Sequence, residues 1–238
     1  MLDFDGTLVP YASETRLIPV IDPRLPGLLE RLGKDTGGAT VIVSGRGVNE
    51  LQGLLGPIRL PILGTHGFEF RASPEAAIEL ESTASDTRDM LDGLDRLYTQ
   101  SSAWAQKHRG ISAERKALTV VVHFHDAPEM ADLAYRFARE ACDGNPGFAL
   151  QAGRGVAEFR PANADKGSAI KRLMDKPPFS GRRPIFIGDD LADEAGFQVV
   201  NSLGGISIKV GPGESAAPFS LATSQDVLAY LGSISMQL

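Results

Sequence analysis

Short β-branched runs that stop abruptly at glycine and polar residues are what most constrain the fold of this chain. Thr40-Val41-Ile42-Val43 stops at Ser44-Gly45-Arg46, and Pro61-Ile62-Leu63 stops at Gly64-Thr65-His66-Gly67. Ile185-Phe186-Ile187 stops at Gly188-Asp189-Asp190, and Ile206-Ser207-Ile208-Lys209-Val210 at Gly211-Pro212-Gly213. Brief runs that are apolar on both faces read as buried parallel strands. Helical spacing lies between them: Leu25, Leu28, Leu29 and Leu32 share one face, and Ala169, Ile170, Leu173 and Met174 another. This alternation predicts a doubly wound, Rossmann-like α/β core with a parallel sheet. Ligands of such sheets bind at the carboxyl ends of the strands, where the polar residues above fall.

The middle of the chain has a different pattern. Met90, Leu94, Leu97 and Tyr98 mark a long helix, and Met130, Leu133, Ala134, Phe137, Ala138 and Ala141 an amphipathic one. Residues 118–124 and 156–159 read as strands. Helices mixed with antiparallel-looking strands predict an inserted α+β cap domain. The expected division is core 1–70, cap 71–159 and core 160–238. At 42% hydrophobic and 23% charged, the chain has material for packed cores and no disordered bias. No apolar run reaches the roughly 18–20 residues of a membrane span, so no membrane partner is expected. The net charge of −6 argues against a nucleic-acid partner. The lone Cys142 excludes an internal disulfide and fits a reducing, cytoplasmic setting. A monomer is expected.

Four stretches carry chemistry. In Asp3-Phe4-Asp5-Gly6-Thr7-Leu8, two carboxylates stand two residues apart before a glycine and a hydroxyl. Asp3 suits nucleophilic attack on phosphorus, and Asp5 suits general acid–base work. Ser44, with the amides of Gly45 and Arg46, can hold a phosphoryl oxygen. Lys166 opens a helix behind a candidate N-cap, Asp165; a cation there is electrostatically odd without a bound anion. Finally, Gly188-Asp189-Asp190-Leu191-Ala192-Asp193-Glu194 concentrates carboxylates whose repulsion a divalent cation relieves. Mg²⁺ favours a few carboxylates together with water and phosphate oxygens.

In this order, the four stretches resemble the motifs of the haloacid dehalogenase-like phosphohydrolases. The resemblance implies catalytic roles for Asp3, Asp5, Ser44 and Lys166. It also implies Mg²⁺ held by Asp3, Asp5 (through its carbonyl oxygen) and Asp189, with Asp190 as a further ligand and Asp193 close by. Further stretches resemble trehalose-phosphate phosphatases in particular. They are Gly64-Thr65-His66-Gly67-Phe68-Glu69, Glu114-Arg115-Lys116, His123-Phe124-His125, Val156-Ala157-Glu158-Phe159-Arg160-Pro161, and the acidic stretch continued to Phe197. That family usually has Thr in place of Ala192 and an aromatic-Arg pair in place of Phe124-His125.

The resemblance implies a disaccharide phosphate substrate, trehalose 6-phosphate, cleaved through an aspartyl-phosphate. The expected substrate contacts are Gly45, Arg46, His66, Glu69, Glu114, Lys116, Arg154 and Glu158, with the insert closing as a cap. Glu114 and Lys116 would share a strand face by period-2 alternation. Alternatives are a related phosphatase acting on another sugar phosphate such as sucrose 6-phosphate, a mutase, and a non-catalytic sugar-phosphate scaffold.

One expectation concerns the first residues. An ordinary strand runs about five residues, yet only Met1 and Leu2 precede Asp3. Either the natural chain begins upstream, or the central strand is a stub that leaves its neighbours short of hydrogen-bond partners.

Overall fold

A computed structural model describes residues 1–10, 19–153 and 155–235. The chain forms two compact units, Met1–Glu79 with Asp165–Leu238, and Leu80–Ala164. The sequence pattern set the insert at 71–159; by packing the chain divides at Leu80 and Asp165.

The first unit is built from α1 (Leu25–Asp35), β1 (Ile42–Val43), α2 (Val48–Leu55), β2 (Ile62–Gly64) and β3 (Glu69–Arg71), with the two-residue β4 (Glu79–Leu80) at the boundary. The second contains α3 (Ala84–Ala105), β5 (Ser112–Arg115), β6 (Val120–His123), α4 (Ala131–Asp143), β7 (Phe148–Gly153) and β8 (Val156–Pro161). The first then resumes with α5 (Lys166–Met174), β9 (Ile185–Gly188), α6 (Glu194–Ser202), β10 (Ile206–Val210), β11 (Phe219–Leu221) and α7 (Ser224–Ser235).

In the first unit, β1 pairs with β2, and β10 pairs with both β9 and β11, all in parallel. β3 adds antiparallel to β2. Leu2 joins the two halves by parallel bridges to Ile42 and Ile187. Side chains alternate across this sheet. Ile42, Ile62 and Ile187 pack with Leu28 and Leu29 of α1, Leu51 of α2 and Val227 of α7. Val41, Val43, Leu63 and Phe186 pack on the other face with Ile170 of α5 and Phe197 of α6. Burying one such side chain fully contributes about 1.5–3 kcal/mol, so both faces must stay apolar. The result is the expected doubly wound core.

The short first strand is paired on both sides. Leu2 N–H donates to Val41 O (3.0 Å), and Val43 N–H donates to Leu2 O (2.8 Å). Opposite, Asp3 N–H donates to Ile187 O (2.9 Å), and Ile187 N–H to Met1 O (3.2 Å). Both neighbours are thus paired at the point where Asp3 leaves the sheet, and Asp3 and Asp189 each have a carboxylate oxygen within 4.8 Å of the other.

The second unit is an α+β layer. Its sheet runs β5-β6-β8-β7, with every neighbouring pair antiparallel. Val120, Val122, Ala157 and Phe159 pack on Leu94 and Leu97 of α3 and on Ala134 and Ala138 of α4. Among the described residues, no helix is long and apolar enough to cross a membrane.

Candidate active site

The site of the first unit forms where its parallel strands end. Leu2 lies beside Ile42 and Ile187, so Asp3, Ser44 and Asp189 all emerge on one edge of the sheet. After Asp3 the chain doubles back: Leu8 N–H and Val9 N–H donate to Phe4 O (2.9 and 3.1 Å), and Gly6 N–H to Val9 O (2.7 Å). Gly6 adopts φ +84°, and a Cβ there would stand 2.2 Å from Asp189 Oδ2. Only glycine satisfies both the left-handed turn and that approach. Thr7 Oγ1 donates to Asp189 Oδ1 at 3.2 Å.

Lys166 sits at the start of α5, whose N-cap Asp165 accepts from Ser168 N–H at 2.7 Å. Its ammonium lies 2.7 Å from Asp3 Oδ1 and 2.6 Å from Asp193 Oδ1, and all three side chains are buried. Burial alone would depress the Lys166 ammonium, but Asp193, Asp3 and Asp190 together outweigh it and hold its pKa well above the usual value. Burial pushes Asp3 well up; Lys166 opposes that shift, while Asp193 and Asp189 add to it. Burial likewise raises Asp190. Lys166 is thus shared among several buried carboxylates, and their mutual repulsion with burial disfavours full ionisation of the group.

Asp193 is held through both of its oxygens. Its Oδ1 takes Lys166, and its Oδ2 accepts Asp189 N–H (2.9 Å) and Asp190 N–H (3.1 Å). Asp190 turns back to cap the following turn, with Oδ1 accepting Ala192 N–H at 2.9 Å. Asp3, Asp189 and Asp193 can bring one carboxylate oxygen each within 4.8 Å of one another. An all-oxygen donor set with surplus negative charge fits a hard divalent cation. The sequence reading placed Asp190 among the ligands. Asp193 shares the oxygen cluster with Asp3 and Asp189, while Asp190 Oδ1 is engaged with Ala192 N–H.

Ser44 follows β1; its N–H donates to Leu63 O (2.9 Å), and its Oγ accepts Arg46 N–H at 3.1 Å. Arg46 grips Asp5 with two hydrogen bonds, Nε to Oδ2 at 2.6 Å and Nη2 to Oδ1 at 2.8 Å, and also pairs with Glu50. Gly45 lies under the His66 ring: a Cβ there would be 2.8 Å from His66 Cε1. His66 is buried and left-handed, at φ +54°. Glu69 is also buried, and its Oε2 accepts from Thr65 Oγ1 (2.7 Å) and Val48 N–H (3.1 Å).

In the second unit, Glu114 of β5 pairs with His123 of β6, Oε2 to Nε2 at 2.9 Å. Val121 stands in register with both Glu114 and Glu158, so the two carboxylates lie in one row of one sheet face. Lys116 follows β5, its N–H donating to Thr119 O at 2.9 Å. Arg154 lies outside the described residues.

Sequence reading gave no role to two residues that the structure brings to the site. Thr7 is the hydroxyl in the first motif. Lys209 is a lone cation in an apolar strand, now buried, with its ammonium donating to Asp189 O and to Val210 O (2.8 Å). Each was visible as a polar residue in an otherwise apolar or glycine-bound setting.

Residues 1–225 match the family model described as trehalose-phosphatase. The chain is 39% identical over 212 residues to a probable trehalose-phosphate phosphatase of Sinorhizobium fredii, covering 89% of this chain and 77% of that protein. It is 36% identical over 236 residues to the trehalose-6-phosphate phosphatase of Escherichia coli K12, covering 99% and 86%. A crystal structure of a trehalose-6-phosphate phosphatase related protein superposes with a TM-score of 0.79 at 29% identity, covering 99% of this chain and 96% of that one.

Proposed function

The chain belongs to the trehalose-phosphatase family, and we propose that it hydrolyses trehalose 6-phosphate to trehalose and inorganic phosphate through an aspartyl-phosphate on Asp3. The observation that carries this reading is the buried array in which Lys166 joins Asp3 to Asp193 beside Asp189.

In the first step an Asp3 carboxylate oxygen attacks phosphorus in line, and the bond from phosphorus to the sugar oxygen breaks. Asp5 supplies the proton that the departing sugar oxygen needs. In the second step Asp5 takes a proton from water, the water oxygen attacks phosphorus, and the Asp3 carboxylate is released with inorganic phosphate. Arg46 holds both Asp5 oxygens; for Asp5 to carry the proton to the sugar oxygen Arg46 must release one of them, and its guanidinium then stands as a cation for the reacting phosphate. Ser44 and Lys166 steady the phosphoryl oxygens as negative charge builds in the transition state. Asp3, the Asp5 carbonyl oxygen and Asp189 are the residues to hold Mg²⁺, which when bound offsets the charge between the nucleophile and the phosphate. Thr7 and Asp193 orient that set, through the Asp189 carboxylate and its backbone N–H respectively.

Sugar selection is assigned to Glu114, Lys116 and Glu158 of the insert. A disaccharide presents many hydroxyls, and carboxylates and an ammonium meet them as acceptors and donor. The shared sheet face of Glu114 and Glu158 supports this assignment.

The reading is tested by phosphate release from trehalose 6-phosphate, sucrose 6-phosphate and p-nitrophenyl phosphate, with and without Mg²⁺. Release that requires Mg²⁺ and is fastest with trehalose 6-phosphate is the expected result. Equal rates on both disaccharide phosphates would refute the substrate assignment, and no release from any ester would refute the enzyme assignment.

A further inference from the structure

Two loops of the first unit, residues 44–47 and 64–67, are locked into one piece, and a single carboxylate lies at the lock. Thr65 N–H donates to Arg46 O (2.9 Å), and His66 N–H to Ser44 O (2.8 Å). Between those bonds the backbone is strained: Thr65 has φ +47° and His66 φ +54°, both left-handed and neither a glycine. Such conformations cost roughly 1–2 kcal/mol per residue. They persist only where surrounding contacts over-determine them, which is common at functional sites.

Glu69 supplies the contact that joins the side-chain and helix ends of this lock. Its Oε2 accepts the hydroxyl of strained Thr65 at 2.7 Å and the backbone N–H of Val48, the first residue of α2, at 3.1 Å. The N-cap of α2 is Gly47, which has no side chain to satisfy the helix's free amides. A carboxylate reaching in from β3 therefore does the work of an N-cap, and its charge suits the positive end of the helix. Glycines also let these parts approach: a Cβ on Gly47 would stand 3.2 Å from Glu69 Oε2, and one on Gly64 2.7 Å from Val48 N and 3.0 Å from both Arg46 O and Glu69 Oε2.

We propose that Glu69 is a positioning residue for phosphoryl transfer, holding the Ser44–Arg46 turn and the Thr65–His66 turn in register, and not a ligand of the sugar. It acts through Ser44 and Arg46, and the proposal rests on the assignment of those residues to the phosphoryl site. Burial of Glu69 and the two bonds on Oε2 are the features that set it apart from Glu114 and Glu158, which lie on a sheet face of the insert.

The test is steady-state kinetics of Glu69→Ala and Glu69→Gln with trehalose 6-phosphate and with p-nitrophenyl phosphate, each assayed well below its own Tm. A positioning role lowers kcat on both esters in parallel for Glu69→Ala, toward the roughly 100-fold loss that a misplacement of about 1 Å brings. Glu69→Gln keeps a carbonyl oxygen for Val48 N–H and Thr65 Oγ1, and should recover most of that kcat. A raised KM for trehalose 6-phosphate with the small ester spared would overturn the proposal in favour of sugar binding. A lowered Tm with unchanged kcat on both esters would overturn it in favour of a purely structural role. A wild-type protein inert toward both esters would remove the functional reading, and this inference with it.

Discussion

Lys166 places its ammonium 2.7 Å from Asp3 Oδ1, with both side chains buried. The same nitrogen is 2.6 Å from Asp193, so one cation is shared between the proposed nucleophile and the residue that orients the acidic loop. Removing one partner of a buried pair costs about 3–5 kcal/mol, because the carboxylates remain without a counter-charge. Lys166→Met should therefore lower Tm clearly and reduce kcat by roughly 10²–10³, the loss typical of a transition-state charge stabiliser. Thermal melts and phosphate release measure both. Wild-type kcat in this variant would place Lys166 outside the chemistry.

Gly6 faces Asp189 so closely that no side chain fits, a Cβ landing 2.2 Å from Oδ2. Gly6→Ala should push Asp189 away from Asp3 and add roughly 1–2 kcal/mol of left-handed strain. A weaker Mg²⁺ affinity by calorimetric titration, alongside lower activity, is the expected outcome. An unchanged titration would mean that the loop relaxes without disturbing Asp189.

Lys209 lies under the acidic loop and donates to the main-chain carbonyl of Asp189. Outer contacts that orient a metal ligand are commonly worth 10–100-fold in metal affinity. Lys209→Met should weaken Mg²⁺ binding by about that factor, seen in both a direct titration and the Mg²⁺ concentration for half activity. If only Tm falls, Lys209 serves the fold alone.

The insert should set which ester is used and leave the chemistry alone. Glu114→Ala and Glu158→Ala are each expected to lower kcat/KM for trehalose 6-phosphate by about 10–100-fold, the scale of a lost hydrogen bond to a charged group. Turnover of p-nitrophenyl phosphate should stay near wild type. Equal losses on both esters would remove the recognition role.

Much of this arrangement was legible in the sequence, for identifiable reasons. Val41, Ile42 and Val43 are apolar in succession because β1 is covered on both faces, and the alternation of their side chains confirms it. The Ser44 and Asp189 motifs were legible because each follows such a run, and the Asp3 and Lys166 motifs because of their own residue patterns. The partnership of Arg46 with Asp5 was not, since it spans 41 residues and depends on where two loops meet. Nor was the division of labour between Asp190 and Asp193. Two like carboxylates three residues apart are told apart only by the turn they cap, Asp190 binding Ala192 N–H and Asp193 the amides of Asp189 and Asp190. Glu69 heads a strand, where a charged residue reads the same whether exposed or buried. The pairing of Leu2 and its flanking groups with strands on both sides could not be read from two residues.

The central claim is that Asp3 is the nucleophile. Its most direct measurement is phosphate release from trehalose 6-phosphate by Asp3→Asn, compared with wild type in the same Mg²⁺ buffer after circular dichroism has shown both to be folded. The amide keeps the shape of the side chain and loses the negative charge that makes its oxygen a nucleophile, so release is expected to fall to background. Turnover at the wild-type rate would contradict an aspartyl-phosphate on Asp3.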